Sequence, residues 1–144
     1  MVRGMLTARF ELTIPGRPVA DQRARVTRRG TYKPDKCRHY KDHVFACWHK
    51  AGRPRVDCSN GLAVSARFFV ARPKSHYTST GKLRASAPVN FTVRPDLDNY
   101  VKLLLDSLNG LAWGDDARIV SITVSKGYVE SGSECVELVV ELIS

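Results

Sequence analysis

The chain has 144 residues, of which 43% are hydrophobic and 26% charged, so it can bury a core and is expected to form a single domain over residues 1–144. Its 23 Lys and Arg against 14 Asp and Glu give a formal net charge of +9, which favours a polyanionic partner. No apolar run approaches the roughly 20 residues of a membrane span, and the N-terminus lacks a signal-peptide core. Four cysteines without a CxxC pair indicate free thiols in a reducing compartment. These features disfavour a membrane-spanning or secreted protein and predict a cytoplasmic one.

Four segments alternate between apolar and polar residues with the period of two that is typical of a strand with one buried face. They cover residues 8–14, 62–70, 120–125 and 136–142. The last two are expected to pair as a hairpin across the loop 127–132.

Two helices are predicted between these strands. The first covers about 36–50 and is only weakly patterned. The second starts near Asp98 and stops at Asn109-Gly110, where glycine can adopt the left-handed cap conformation. Its core-facing stripe is predicted to be Leu97, Val101, Leu104, Leu105, Leu108 and Leu111. The order β-α-β-α-β-β predicts an α+β fold, a mostly antiparallel four-stranded sheet with helices packed on it.

Two long connections, 17–41 and 71–95, carry most of the surplus positive charge. Loops of this length inside a compact domain are usually functional, and the arginine fork matches phosphate oxygens. Phe91, in the second loop, is the better candidate for stacking on bases, whereas Phe68 and Trp113 are expected in the core. The residues predicted to contact DNA are Arg17, Arg23, Arg25, Arg28, Arg29, Lys33, Lys74, Lys82, Arg84 and Arg94.

Five of the fourteen acids lie between residues 95 and 116. Carboxylates weaken binding to a polyanion, and the usual reason for them beside a phosphodiester is a divalent cation such as Mg²⁺, which prefers hard oxygen ligands. At about 100° per residue, Asp98, Lys102, Asp106 and Asn109 share one helix face. We expect Asp96 and Asp98 to meet Asp115, Asp116 or both around a metal ion.

A purely structural reading of the same acids exists. Aspartate at a helix start can cap free N–H groups, Asp98 and Lys102 are spaced for an i,i+4 ion pair, and Asp115-Asp116 can form a turn. Each acid alone favours this reading. The whole set in a basic chain favours a metal-dependent nuclease.

The signature residues resemble those of the RusA family of Holliday junction resolvases. The resemblance is carried by PDLDNYVK at 95–102, LDSLNG at 105–110 and WGDD at 113–116, and also by IPGRPVADQRARVTRRG at 14–30. It therefore covers most of the chain.

The resemblance implies a homodimeric endodeoxyribonuclease that resolves four-way DNA junctions by paired symmetric nicks in recombination and repair. It implies Mg²⁺, or Mn²⁺ in its place, held by Asp96, Asp98 and Asp116, with Lys102 as an essential lysine. Asn99 and Asp115 are expected in supporting positions. The family also implies the cytoplasm of a bacterial cell, with the gene belonging to the host or to a phage.

Two alternatives stay open on the sequence. One is another metal-dependent nuclease with the same acids, acting on other branched DNA or on RNA. The other is a non-catalytic nucleic-acid-binding protein in which the acids are structural. A zinc site at Cys37, His39, His43 and Cys47 matches no standard spacing, so these are interpreted as ordinary helix residues.

Overall fold

The computed structural model describes residues 6–52, 55–56, 59–130 and 132–143. The described residues contain two α-helices, α1 (Asp35–Lys50) and α2 (Leu97–Leu108). The strands are β1 (Leu6–Pro15), β2 (Arg25–Thr27), β3 (Gly30–Tyr32), β4 (Leu62–Val70), β5 (Ile119–Tyr128) and β6 (Cys135–Ile143). Short 3₁₀ helices cover Lys74–His76 and Asp116–Arg118.

The four long strands form one mixed sheet in the order β1-β6-β4-β5. β6 runs antiparallel to β1 and to β4, whereas β4 and β5 are parallel. The predicted α+β class is therefore confirmed, but the sheet contains one parallel pair. The predicted element order is matched only in part, because the small β2–β3 hairpin precedes α1.

The predicted hairpin between the last two strands is wrong. β6 lies between β1 and β4 and is hydrogen-bonded to both, while β5 pairs only with β4 at the sheet edge. Burial explains the choice, since β6 buries Val136, Leu138 and Val140 and a central strand offers the most burial. The more polar β5 is suited to an edge.

The face of α2 that enters the core is rotated from the predicted stripe. Its buried residues are Tyr100, Leu103, Leu104, Ser107 and Leu108. Leu97, Val101 and Leu105 are only partly buried and lie along the border of the helix with solvent. The predicted end of the helix is confirmed, because Gly110 has a φ of 78°, a conformation that favours glycine.

Burial in the core also shows which aromatic residues have a structural role. Trp48, Phe68 and Trp113 are buried, as expected for the last two. Phe91 is buried as well and stacks on Tyr128 with ring centroids 5.1 Å apart. The prediction that Phe91 stacks on DNA bases is therefore wrong, because this part of the basic loop packs under the sheet end and supplies a core residue.

The sheet gathers the long connections at one end. β1, β4 and β5 point the same way, since β6 opposes β1 and β4 and β5 follows β4. The segments 16–34, 71–96 and 129–134 all leave this end, which we call the cleft end. Every residue predicted to contact DNA lies in the first two of these segments.

Neither helix in the described part of the chain is long and apolar enough to cross a membrane. Cys37, Cys47 and Cys135 are free thiols, as predicted, and Cys58 lies outside the described residues.

Candidate active-site cleft

The start of α2 presents two carboxylates to solvent at the cleft end. Asp96 is the N-terminal cap residue and Asp98 lies in the first turn, and both are exposed. The Asp96 side chain makes no capping hydrogen bond. Among the described residues, neither carboxylate has a hydrogen-bond or ion-pair partner. The structural reading of Asp96 as a helix cap therefore does not hold, and both carboxylates are available to a ligand.

A lysine on the sheet fixes the chain where it enters α2. Lys126 on β5 donates from Nζ to the carbonyls of Val93 and Pro95, both at 2.7 Å. Its ammonium also lies 4.2 Å from the ring centroid of Phe91. Asp96 thus follows directly after a segment that is anchored to the sheet.

Lys102 pairs with Asp21, an acid within the motif at 14–30 that is not among the predicted site residues. Its Nζ lies 3.5 Å from Oδ2 of Asp21, and the expected i,i+4 pair with Asp98 is absent. Lys33 also binds Asp21, with Nζ at 3.0 and 3.1 Å from the two carboxylate oxygens. Burial raises the pKa of Asp21, and the two ammonium groups outweigh it, so this pKa lies below its usual value.

A cleft of about 970 Å³ opens beside these groups. Asp21, Asp96 and Asn99 contribute its polar and acidic wall. Four basic residues line it as well, namely Arg17, Arg23, Lys36 and Arg94. Cations around an exposed carboxylate, here that of Asp96, are the arrangement expected for a phosphodiester bound next to a metal ion.

Asp116 lies at the opposite end of α2. Its backbone N–H donates to Oδ1 of Asn109 at 3.2 Å, and its own Oδ1 accepts from Nε1 of the buried Trp113 at 2.7 Å. The twelve residues of α2 separate it from Asp96 by about 18 Å along the helix. No group of three His, Cys, Asp or Glu in the described part of the chain could hold a metal ion. The expected convergence of Asp116 with Asp96 and Asp98 does not occur within one protomer, because a rigid helix lies between them.

Asp115 has a local structural role. Its Oδ1 accepts from the backbone N–H of Ala117 at 3.1 Å and so caps the 3₁₀ helix. This is the turn that the structural reading predicts for this residue.

The comparison with known proteins places the chain in a family. The profile of the family described as "Endodeoxyribonuclease RusA" matches residues 15–141. The chain belongs to the RusA endodeoxyribonuclease family. A protein of Bacillus subtilis (strain 168), "Uncharacterized protein YqaN", is 32% identical over 127 residues, which cover 84% of this chain and 89% of that protein. The resemblance seen in the sequence is thus confirmed.

Membership of the RusA family makes this protein an endodeoxyribonuclease, a hydrolase that acts on DNA, and the family's substrates are Holliday junctions. The matched residues 15–141 include the whole cleft, both ends of α2 and both basic connections. The non-catalytic alternative from the sequence is therefore set aside.

The basic residues of this RusA-family endonuclease are not all equally available to DNA. Arg25, Arg28 and Arg29 lie on the exposed β2–β3 hairpin, and Arg23 and Arg94 line the cleft. Lys74, Lys82 and Arg84 are exposed on the second connection. Arg17 forms an ion pair of 2.9 Å with Glu134, and Lys33 is committed to Asp21. The last two thus hold the cleft together in addition to adding charge.

Two acids of the cleft end were missed by the sequence reading. Glu134 accepts through Oε2 from Arg17 and from the Ala71 N–H, both at 2.9 Å, and so joins three connections. Asp21 joins Lys33 and Lys102. Asp21 is one of two acids in the basic connection 17–41, and Glu134 shares its loop with Glu130, so neither stands out in the sequence. Their partners are 12 to 117 residues away, so no local pattern reveals them.

Proposed function

We propose that this protein is a Mg²⁺-dependent, homodimeric endodeoxyribonuclease that resolves Holliday junctions by paired symmetric nicks. The observation that carries the proposal is the position of Asp96 and Asp98. These two unpaired carboxylates lie beside Lys102 at the sheet end where the basic connections gather.

The carboxylates of Asp96 and Asp98 suit a hard divalent cation. They are solvent-exposed oxygen ligands on a helix start that Lys126 anchors, and Mg²⁺ is usually held by one or two carboxylates plus phosphate oxygens and water. When bound there, the ion would supply Lewis acidity toward the scissile phosphate and toward a coordinated water.

The remaining groups of the cleft act on the DNA itself. Lys102 would contact the scissile phosphate and stabilise the negative charge that grows on it during attack. Arg23 and Arg94 would bind neighbouring phosphates from the cleft wall. The hairpin arginines would hold a more distant part of the same DNA arm, which makes affinity salt-dependent.

In this proposal, Asp116 from a second copy of the chain completes the site. Asp116 lies at the far end of α2 from Asp96 and Asp98. A two-fold axis across the middle of α2 would set two copies of the helix antiparallel. The end of one helix would then lie next to the start of the other, and each site would combine Asp96 and Asp98 of one protomer with Asp116 of its partner.

The surface next to α2 supports such a contact. Leu97 and Val101 line a groove of about 510 Å³ with Val124 of β5, and Asp98 and Lys102 form its rim. On the same face of β5, Val120 and Ile122 are 65% and 42% exposed. Large apolar side chains on one exposed patch favour burial against another protein surface. We call these five apolar residues the α2–β5 surface.

The first experiment compares Asp98→Asn with Asp42→Asn, a change of the same charge at an exposed position of α1. An end-labelled four-way junction and its matched duplex are incubated with Mg²⁺ or EDTA. We expect Asp98→Asn to lose cleavage by about 100-fold or more while still binding the junction, because a metal ligand contributes several kcal/mol to the rate. Asp42→Asn should cleave like the unmodified protein.

Either of two results would contradict this assignment: cleavage by Asp98→Asn at the unmodified rate, or cleavage that is unaffected by EDTA. Equal cleavage of flaps, duplex ends or RNA would instead favour the alternative of a less selective metal-dependent nuclease.

The shared site is tested by mixing two inactive variants. In a mixed dimer of Asp98→Asn and Asp116→Asn, a site built across the dimer keeps one complete set of ligands, whereas a site built within each protomer keeps none. We expect mixing to restore nicking, with only one of the two strands cut per binding event. The absence of any restored nicking, in a mixture shown to exchange subunits, would refute the shared site.

A further inference from the structure

Asp21 is an acid inside the cleft that is not among the predicted site residues. Its side chain is only 6% exposed, although it lies in the most basic stretch of the chain. It contacts two ammonium groups at once, Lys33 from behind the hairpin and Lys102 from α2. A carboxylate in this position reduces the attraction of the cleft for phosphate, so its presence calls for a role.

The carboxylate of Asp21 is held in place on both sides. The Asp21 backbone N–H donates to the carbonyl of Asn99 at 2.9 Å, which ties it to the first turn of α2. Lys33 binds both of its oxygens and also donates to the carbonyl of Gln22 at 2.8 Å. Asp21 is therefore a fixed point relative to Asp96 and Asp98, which belong to that same turn.

Lys102 is the exposed member of the cluster. Its side chain is 62% exposed, and its ion pair of 3.5 Å is with Asp21 rather than with an acid of its own helix. A lysine side chain has several rotatable bonds, so its ammonium can occupy many positions unless a partner holds it. An exposed ion pair contributes little to stability. The pair therefore matters more for where the ammonium lies than for the stability of the fold.

We infer that Asp21 is a positioning residue, which holds the ammonium of Lys102 on the cleft side of α2, next to the scissile phosphate. This inference rests on the proposed role of Lys102. In this arrangement the backbone of Asp21 is tied to α2 through Asn99, the carboxylate orients Lys102, and Lys102 contacts the DNA. Asp21 itself touches neither the metal ion nor the reacting atoms.

The test measures single-turnover cleavage of a four-way junction and, separately, junction affinity in EDTA. The variants are Asp21→Asn, Lys33→Met, Lys102→Met and the double variant Asp21→Asn/Lys102→Met. Glu137→Gln is the matched control, because it breaks an ion pair with Arg67 on the opposite face of the sheet and changes the net charge equally. Should Asp21→Asn fail to fold, as judged by its thermal melt, Asp21→Ser supplies the same comparison.

We expect Asp21→Asn to slow cleavage by roughly 10- to 100-fold, as displaced catalytic groups do, with an affinity no weaker than that of Glu137→Gln. Lys33→Met should slow it less than threefold, since Asp21 keeps its contact with Lys102. Asp21→Asn should cause no further loss once Lys102 is replaced, because its effect passes through that lysine.

Several results would overturn the inference. One such result is a cleavage rate for Asp21→Asn equal to that of Glu137→Gln. Another is a double variant in which the rate losses of Asp21→Asn and Lys102→Met multiply. If Lys33→Met and Asp21→Asn slow cleavage equally, the role of the Asp21 carboxylate is to hold the β2–β3 hairpin instead of positioning Lys102. An unmodified rate in Lys102→Met would overturn the proposed role of Lys102 as well, so the two failures are distinguishable.

Discussion

Replacing Lys126 by methionine removes the anchor of the segment that enters α2. The substitution keeps a long apolar side chain over Phe91 and deletes the ammonium. Two hydrogen bonds of 2.7 Å to the carbonyls of Val93 and Pro95 are lost with it. The chain next to Asp96 is then free to move.

The expected loss in the free energy of unfolding follows from these contacts. A hydrogen bond to a charged group contributes about 1.5–3 kcal/mol when buried, and only the bond to Pro95 is partly buried. The exposed bond to Val93 adds little, and the lost cation–π contact with Phe91 adds about 0.5–1 kcal/mol. We expect a loss of about 2–3 kcal/mol in the free energy of unfolding and a fall in Tm of about 5–10 °C.

Urea unfolding at a fixed protein concentration measures the stability, and single-turnover junction cleavage measures the consequence for the site. Lys50→Met, at an exposed position in the last turn of α1, is the matched control. Cleavage should fall by roughly tenfold in Lys126→Met, because Asp96 is no longer held in place. A loss of stability below about 0.5 kcal/mol together with unchanged cleavage would show that the helix entry is held by other contacts, and would refute this reasoning.

Two further predictions concern the DNA and dimer surfaces. Arg25→Ala combined with Arg28→Ala should weaken junction binding and lower the slope of log K against log salt by about 2, because two phosphate contacts are lost; an unchanged slope, measured by fluorescence anisotropy, would place the DNA elsewhere. Ile122→Glu should yield monomers in sedimentation velocity and abolish cleavage while the circular dichroism spectrum is kept, because a charge cannot be buried in the α2–β5 surface. Val89→Glu, at an exposed apolar position in the second connection, is its control, and a dimeric Ile122→Glu would exclude this surface as the interface.

The elements of the fold could be read from the sequence because their signals are local. The alternation in 62–70 and the Asn109-Gly110 stop each involve neighbours in the chain, and the structure places β4 at Leu62–Val70 and ends α2 at Leu108. The exposed face with Asp98, Lys102, Asp106 and Asn109 also follows from helix periodicity alone. The family likewise is recognisable from short motifs with fixed spacing.

Strand order could not be read in the same way. Alternation shows that β5 and β6 each have one apolar face, but it does not show which strand lies next to which. The order β1-β6-β4-β5 replaces the expected hairpin because the strand that buries the most surface takes the central position in the assembled core.

The sequence by itself determined the chemistry of this protein: a basic chain, a set of aspartates and a lysine at family spacing, and the helix that carries them. Only the tertiary structure decided how these groups are distributed. It placed Asp116 at the opposite end of α2 from Asp96, and it gave Lys102 a partner in Asp21, which lies 81 positions earlier. The physical reason is that helix and strand periods fix directions over a few residues, whereas contacts between distant segments depend on how the whole core packs.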